Sequence, residues 1–374
     1  MLLVLAVLVA ILALLAGISL YGAWRTPGNQ SFSAKWADWL RSHHAAWVAN
    51  RMENYYYTHN QPPKGGQLKS LNSVPTVGTA HPTGTVPTVA HLPAPSPVPL
   101  VVQPAVPGEG TWTPAGVTVH GIPAMYEAQF RADSIYTSQI TSAVWIDPTL
   151  LHVSLIPGAQ EPGGTWAQTP YINSAQLPYA VAAFNGGFRL QDAKGGFYLD
   201  GRTQAPLQNG AASLVIYSNG HVDVGAWGTE VTLTQNVVAV LQNLVPLVDG
   251  GQLAPSATYN DVSIWGATLG ANTVVARSGV GVTATGALIY VAGPALTARS
   301  LAESLQRAGA VRAMSLDINP EWVTFNFFQH DPANPSVVTA TKLYPQMQRP
   351  ATRYLGPTAE SRDFFLVSTP GSAG

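Results

Sequence analysis

An uncharged apolar run constrains the fold most strongly. Residues 1–24 read MLLVLAVLVAILALLAGISLYGAW, and the first charged side chain is Arg25. About 20 apolar residues suffice to cross a bilayer as a helix. A cleaved signal peptide is the alternative, but the run lacks a basic n-region and exceeds the usual length of an apolar h-region. The run therefore predicts a transmembrane signal anchor at residues 1–24.

The segment that follows, residues 25–58, is rich in aromatic side chains. Within it Trp36, Leu40, Trp47 and Met52 recur at near-helical spacing. This pattern suits an amphipathic helix that lies at the membrane interface, and it equally suits a short helix packed on the main domain. Both interpretations remain open at this stage.

Prolines recur throughout residues 59–110, among Thr, Val, Ala and Ser. Such a segment favours polyproline II and is poor in the residues that build a core. We therefore expect a disordered, semi-rigid linker. An anchor, a linker and then a domain at residues 111–370 would suit work at a distance from the bilayer, such as within a cell wall.

Composition excludes several functions. The 374 residues include 35 Gly and 30 Pro, which favours turns and strands over long helices. The formal net charge is −1, without a basic run, so we do not expect a nucleic-acid partner. The chain contains no cysteine, which excludes disulfides, thiolate metal sites and a cysteine nucleophile.

The domain is predicted to be α+β, with a strand-rich mixed sheet and few helices. Ser218-Asn219-Gly220 and Thr285-Gly286 each separate two β-rich runs and indicate hairpin turns. The clearest helix is LTARSLAESLQRAG, with Thr297 as N-cap and Gly309 at its end. It leads into a strand over residues 311–318.

Two glycine pairs are candidate site elements. In FNGGF, after an apolar strand, Gly186 and Gly187 permit positive φ and close backbone approach, so their N–H groups and Asn185 could form an anion nest. A simple turn is the alternative. In LVDGGQ, Asp249 precedes the other pair, and an Asp-Gly turn is the simplest interpretation of that stretch alone.

Arg277 and Ser278 lie within the apolar run VVARSGVGV. A buried arginine is costly unless it is paired, and its planar fork suits phosphate or carboxylate. A structural ion pair with an acid is the alternative. The nearby glycines do not match dinucleotide-binding spacing, and the sequence lacks the P-loop, GxSxG, HExxH and EF-hand patterns.

The strand over residues 311–318 leads into the polar sequence DINPE, where Asp317, Asn319 and Glu321 follow one another around a proline. Strand alternation places Asp317 on the face with small residues, as a pocket requires. Glu321 lies four positions beyond it. This polar end of an apolar strand is therefore a candidate site.

In order and spacing, FNGGF, LVDGGQ and the stretch from ARSGVGV to MSLD resemble the phosphodiester glycosidase family. The resemblance implies hydrolysis of a sugar 1-phosphodiester between the anomeric carbon and the phosphate. It implies that Asp317, which matches the family's strand-end Asp, lies in the pocket. We expect Asp317 to orient water or stabilise the transition state, with Glu321 as a second catalytic candidate. The expected substrate- and phosphate-binding residues are Asn185, Gly186, Gly187, Asp249, Arg277, Ser278 and Asn319.

The chain departs from the family pattern in the loop that follows Asp317. Many members continue the strand-end Asp with Gly-Gly-Gly-Ser, whereas this chain continues Asp317 with Ile-Asn-Pro-Glu. An alternative function is therefore a membrane-anchored glycan-binding protein of the same fold that has lost hydrolysis. A structural envelope protein would fit the anchor and linker but gives no reason for Arg277.

Cofactors and location complete the expectations. Asp249 and Asp317 are oxygen ligands of the kind that Ca²⁺ or Mg²⁺ prefers, but too few such ligands cluster locally to predict a cofactor. Basic residues after the apolar run favour a cytoplasmic domain under the positive-inside rule. The extracellular or lumenal setting of the resembled family implies the opposite. We expect a single-pass membrane protein with an extracytoplasmic domain that acts on a glycan or sugar phosphate.

Overall fold

The structure is a computed structural model that describes residues 2–73, 89–259, 261–266 and 273–371. Its helices are α1 (Leu2–Arg25), α2 (Phe32–Ser42), α3 (Ala46–His59), α4 (Leu190–Ala193), α5 (Pro255–Thr258), α6 (Val262–Trp265) and α7 (Ala298–Arg307). Its strands are β1 (Thr113–Val119), β2 (Ile122–Phe130), β3 (Thr141–Ile146), β4 (His152–Ile156), β5 (Ala180–Asn185), β6 (Phe197–Leu199), β7 (Arg202–Ala205), β8 (Ala212–Tyr217), β9 (Val222–Ala226), β10 (Val237–Gln242), β11 (Pro246–Asp249), β12 (Gln252–Leu253), β13 (Val275–Thr283), β14 (Leu288–Leu296), β15 (Ala310–Ser315), β16 (Phe325–Asp331), β17 (Asn334–Lys342) and β18 (Phe364–Ser368).

The strands of the described residues form three sheets. The largest has the order β1-β2-β3-β14-β13-β15-β11-β12, the second β7-β6-β10-β8-β9, and the third β17-β16-β5-β18-β4. The predicted α+β class is confirmed. Neighbouring strands pair antiparallel, although β14 and β15 run in the same direction because antiparallel β13 lies between them. Helix α7 therefore connects two strands that run in the same direction, as in the mixed sheet we expected. No two hydrogen-bonded neighbours among these strands are parallel.

Helix α7 connects β14 to β15. The Thr297 hydroxyl accepts from the Ser300 backbone N–H at 2.9 Å, and the Ser300 hydroxyl accepts from the Thr297 N–H at 2.9 Å. This capping box satisfies N–H groups that the first helical turn leaves open. Leu301 and Leu305 are fully buried, and Gly309 follows the helix with φ of 105°. The predicted helix, cap and stop are thus confirmed.

Aromatic side chains fill the core behind β5. Phe184 stacks on Phe325 with ring centroids 5.8 Å apart and on Phe365 at 5.0 Å, while Tyr290 packs against Phe184 at 5.3 Å. Each such side chain contributes roughly 1.5–3 kcal/mol when it is buried. The cluster joins the largest sheet to the third sheet and fixes the position of the next residue, Asn185.

The N-terminal segment contacts the domain directly. Among the described residues, α1 is the one helix long and apolar enough to cross a membrane, with a mean hydropathy of 3.0. Two residues after it ends, the Pro27 carbonyl accepts a hydrogen bond from the Gln160 side chain at 2.8 Å. Asn29 donates to the Arg353 carbonyl at 2.7 Å. Very little free chain therefore separates α1 from the domain.

The proline-rich segment differs from the predicted disordered linker over residues 59–110. Its residues 74–88 lie outside the described part of the chain. Beyond them Val98 is only 2% exposed, and the Leu92 N–H donates to the Asp147 carboxylate at 2.7 Å. The extended chain can lie on the domain because prolines remove donors that would otherwise need partners. This part of the segment is an ordered cover.

Candidate active site

A cavity of about 550 Å³ lies where the chain leaves β15. The domain contributes Asp317, Arg362, Arg189 and Trp322 to its wall, and helix α2 contributes Asp38. Carboxylates and guanidinium groups thus meet in one concave space, an arrangement that marks candidate binding and catalytic sites.

Backbone contacts fix the position of Asp317. Its carbonyl accepts from the Ser278 N–H at 2.9 Å, and the Leu316 N–H donates to the Ser278 carbonyl at 2.8 Å. Carboxylate oxygen Oδ1 accepts from the N–H groups of Ile318 and Asn319, both at 2.8 Å. Oδ2 lies 3.5 Å from the Arg362 guanidinium. Oδ1 is therefore held by two backbone N–H groups, while Oδ2 lies beside the Arg362 guanidinium at the cavity.

Burial changes the protonation of Asp317, which is 3% exposed. It raises the pKa of this carboxyl to about 6, against the opposing effects of Arg362, two backbone N–H groups and Arg353. Desolvation wins because it disfavours the charged form more than these partners favour it. A carboxylate with a pKa near the working pH suits general base chemistry.

Three arginines line the cavity, and two of them, Arg362 and Arg189, belong to the domain. The Arg362 guanidinium lies 4.2 Å from the centre of the Trp322 ring, a cation–π geometry that holds it flat. Arg189, two residues after the glycine pair of FNGGF, forms an ion pair with Asp38 of α2. A planar guanidinium presents donors that match phosphate oxygens. The site therefore has two candidate phosphate ligands.

The structure brings Asn185 and Ser278 together with Asp317, but neither of these two predicted binding residues lines the cavity. The Asn185 amide donates to the Ser278 hydroxyl at 3.1 Å, and its oxygen accepts from the Tyr290 hydroxyl at 2.9 Å and the Thr324 N–H at 3.1 Å. The Ser278 hydroxyl also accepts from the Asp317 N–H at 3.2 Å. Both side chains hold the loop beneath the cavity.

The two glycines after Asn185 act through their small size. Neither Gly186 nor Gly187 has a positive φ, in contrast to the expected anion nest. The Gly186 N–H donates to the Asp363 carbonyl at 3.1 Å, and a Cβ at Gly186 would overlap the Asp363 carboxylate. A Cβ at Gly187 would lie 3.1 Å from the Asn243 side chain. The glycines therefore permit close packing rather than expose successive donors.

Asp363 is a buried acid that sequence reasoning missed. Its Oδ2 has no hydrogen-bond partner among the described residues. Burial, followed by the neighbouring charge of Glu161, raises the pKa of Asp363 to about 8. The group is therefore mostly neutral at pH 7 and lies behind Gly186, one residue from Arg362.

Glu321 does not share the cavity of Asp317. Its carboxylate accepts from the Arg349 guanidinium at 2.7 Å and from the Ser31 N–H at 2.8 Å. Asn319 lies between the two acids and lines the cavity, while its side-chain oxygen accepts from the Glu321 N–H at 2.9 Å. The expected pair of catalytic carboxylates is thus separated, and Glu321 has a structural ion pair.

Arg277 also differs from its predicted role. Its guanidinium donates to backbone carbonyls of Leu296 at 3.0 Å, Trp265 at 3.2 Å, Gly266 at 3.4 Å and Thr273 at 3.1 Å. Burial lowers the pKa of Arg277 to about 10. The side chain holds these segments together and does not line the cavity, and it forms no ion pair with an acid within the described residues.

Asp249 lies away from the cavity, which corrects its predicted place in the binding site. It is exposed at the turn between β11 and β12, where Gly250 and Gly251 have φ of 54° and 76°. Positive φ at both central positions is the geometry of a tight hairpin, as the Asp-Gly turn interpretation predicts. No group of three or more His, Asp or Glu side chains within reach of one metal ion occurs in the described ranges.

The sequence gives only a weak indication of the three site residues that were not predicted. Arg362 and Asp363 stand directly before the apolar run FFLVS, and Arg189 directly follows FNGGF. A charged residue at the end of an apolar strand is the same signal that identified Asp317. Such positions are common, so the pattern alone does not show that two of them meet.

A carboxylate with a raised pKa and the guanidinium groups of Arg362 and Arg189 thus line one cavity. Residues 178–317 match the family described as phosphodiester glycosidase. This match agrees with the resemblance seen in the sequence and covers the part of the chain from β5 to Asp317. The matched range ends at Asp317 and includes Asn185, Arg189 and Ser278.

Comparison with solved structures gives distant similarities. The catalytic domain of zebrafish N-acetylglucosamine-1-phosphodiester alpha-N-acetylglucosaminidase, auto-inhibited by its pro-peptide, is 16% identical with a TM-score of 0.41, over 65% of this chain and 83% of that one. A hypothetical protein from Synechocystis is 13% identical with a TM-score of 0.36, over 69% of this chain and 64% of that one. No curated protein matches the sequence significantly.

Proposed function

We propose that this protein hydrolyses a sugar 1-phosphodiester between the anomeric carbon and the phosphate. The observation that carries the proposal is Asp317, a buried carboxyl with a pKa raised to about 6, at a cavity that also holds Arg362 and Arg189. The family match over residues 178–317 supports the same class of hydrolase.

In this mechanism Arg362 and Arg189 bind the phosphodiester, whose single negative charge they complement. Ionised Asp317 accepts a proton from water through Oδ2, while Oδ1 stays fixed by its two backbone N–H donors. The water oxygen bonds to the anomeric carbon as the bond from that carbon to the phosphate oxygen breaks. The products are the free sugar and a phosphate monoester.

The separation of Glu321 from the cavity agrees with this chemistry. Many glycosidases need a second carboxyl to protonate a poor leaving group. A phosphate monoester is a weak base and leaves without strong acid assistance. One carboxylate together with two guanidinium groups is therefore a sufficient set.

For location, we propose that α1 anchors the chain in a membrane and that the domain is extracytoplasmic. The length and hydropathy of α1 support an anchor. The layout that suited work within a cell wall, and so a wall polymer as substrate, depended on a long free linker, and residues 89–110 lie against the domain instead. We therefore propose the reaction without that polymer.

The decisive test is Asp317→Asn in the full chain. With α-N-acetylglucosaminyl methyl phosphate as substrate, kcat should fall by about a thousandfold, within the range of a lost general base. Asp331→Asn, at the exposed end of β16, is the matched control and should retain wild-type turnover. Release of reducing sugar is measured with and without a chelator.

Near-wild-type turnover by Asp317→Asn would remove this acid from the mechanism. Binding without sugar release by the wild-type protein would support the alternative, a glycan-binding protein without hydrolase activity.

A further inference from the structure

We propose that the substrate is membrane-bound: a sugar 1-phosphodiester whose second alcohol is a lipid, which enters the cavity from the bilayer surface. This inference rests on the proposed hydrolysis and adds the class of the leaving group. Three features carry it: the distance between α1 and the cavity, the exposed surface of α2 and α3, and a groove that joins that surface to the cavity.

The cavity lies close to the end of α1. The Trp36 indole N–H of α2 donates to the Ser19 hydroxyl of α1 at 3.1 Å, and Ala23 is fully buried. Asp38, on the same helix as Trp36, lines the cavity and pairs with Arg189. One helix, about 10–12 Å across, thus separates the end of the apolar helix from the candidate phosphate ligands.

The domain cannot move far from the membrane if α1 is inserted. Within six residues of Arg25 the chain contacts Gln160 through Pro27 and Glu321 through Ser31. Residues 25–31 therefore hold the domain close to the end of α1. A substrate deep in a surrounding polymer would lie outside the reach of this site, whereas a lipid headgroup would lie beside it.

The end of α1 and the hairpin of α2 and α3 expose a surface suited to lipid headgroups. Trp24 of α1 is 70% exposed, and Trp47 and Tyr55 of α3 are 71% and 69% exposed. Indole and phenol rings with one apolar and one polar side are enriched where a membrane meets water. Exposed Arg25 and Arg51 would add attraction to anionic lipids. A bilayer surface that continues from α1 explains why these rings are left uncovered.

An apolar groove runs from this hairpin towards the cavity. Its apolar lining includes Leu40, Ala49 and Met52 from the two helices and Pro320 from the loop after Asp317. Glu53 and Glu321 also line it, and each is paired with an arginine. Asn319 lines both the groove and the cavity. A lipid chain in the groove would therefore place its phosphate beside the two arginines and its sugar in the cavity.

The reaction remains a balanced hydrolysis. Water adds to the anomeric carbon, the bond to the phosphate oxygen breaks, and the proton leaves through Asp317 to solvent. The sugar is released into water, while the lipid monophosphate stays in the bilayer. No oxidant, reductant or second substrate besides water is needed.

The test uses the full chain reconstituted in phosphatidylcholine vesicles that contain a minor share of phosphatidylglycerol. The lipid substrate, α-N-acetylglucosaminyl hexadecyl phosphate, is placed either in the same vesicles as the enzyme or in separate vesicles. The methyl phosphate analogue, added to the outside, reports the amount of active, outward-facing enzyme. We expect cleavage in shared vesicles to exceed cleavage in separate vesicles by at least about tenfold, the equivalent of 1.4 kcal/mol.

The outcomes separate the two proposals. Equal cleavage in shared and separate vesicles, or cleavage of the methyl analogue alone, would overturn the lipid inference and leave the hydrolase intact. Failure to cleave either substrate in any arrangement would overturn the proposed function itself.

A variant in the groove gives a second readout. Met52→Asp places a charge where the lipid chain would lie, so the ratio of hexadecyl to methyl cleavage should fall by about tenfold. Val337→Asp is the matched control: Val337 is 53% exposed, as Met52 is 49% exposed, but it lies on β17. An unchanged ratio in Met52→Asp would contradict the groove assignment.

Discussion

Asp317 and Glu321 are buried carboxylates four residues apart, and each lies beside an arginine, yet their surroundings differ. Asp317 keeps one oxygen towards the cavity, 3.5 Å from Arg362. Glu321 is 2.7 Å from Arg349 and is also covered by the Ser31 N–H. The difference shows that both catalytic and structural carboxylates can be buried beside a cation. An open side towards a cavity distinguishes the two roles.

Glu321→Gln should sharpen this comparison most, through stability. Removing the negative charge leaves Arg349 buried without its partner, which should lower the free energy of unfolding by about 3 kcal/mol. The kcat of the folded protein should stay within about threefold of wild type, a change of less than 1 kcal/mol in the barrier. Denaturant unfolding and turnover of the methyl phosphate substrate measure the two effects.

A thousandfold loss of kcat at full stability would reverse the comparison and restore Glu321 as a catalytic acid.

Arg362→Gln should act on the chemistry of Asp317. Loss of a hydrogen bond to a charged group, about 1.5–3 kcal/mol, should lower kcat/KM by about tenfold to a hundredfold. Because the base must be deprotonated, wild-type activity should rise with pH through a midpoint near 6. Arg362 lowers the pKa of Asp317, so its removal should move this midpoint upward.

Arg299→Gln, in an exposed ion pair with Glu303 on α7, is the matched control and should leave the pH midpoint in place. A midpoint that moves downward in Arg362→Gln would show that a different group titrates.

Asp249→Asn should have the smallest effect. The side chain is exposed in a hairpin turn whose two glycines have positive φ, and Asn suits such a turn as well as Asp does. Activity should stay within about twofold and stability within about 0.5 kcal/mol, as for other exposed positions. A loss of kcat with an unchanged fold would return Asp249 to the site.

Local patterns predicted the elements and part of the site. Thr297, Gly309 and the apolar face of α7 define a helix because capping and periodicity act within a few residues. The helix then positions the strand that leads to Asp317. The family resemblance grouped Asn185 and Ser278 with Asp317, and they lie beside it in the structure although neither lines the cavity. Spacing alone does not bring distant strands together.

The remaining parts depend on long-range pairing. Arg362 lies 45 residues from Asp317, and the two meet because β18 enters the third sheet between β5 and β4. Sequence pattern showed that Arg277 is buried, but it did not distinguish a phosphate from backbone carbonyls as its partner. The cover formed by residues 89–110 was missed because a proline-rich composition also describes extended chain that lies on a surface.

The position of β18 has a consequence for the order in which the site is made. This strand and the preceding Arg362 emerge from the ribosome after Asn185, Ser278 and Asp317, yet β18 occupies an inner place in its sheet. A chain interrupted before β18 would leave β5 and β4 with open edges and the cavity without Arg362. We therefore expect such nascent fragments to be prone to aggregation and to lack a complete cavity, so that the proposed hydrolysis would begin only after β18 has been synthesised.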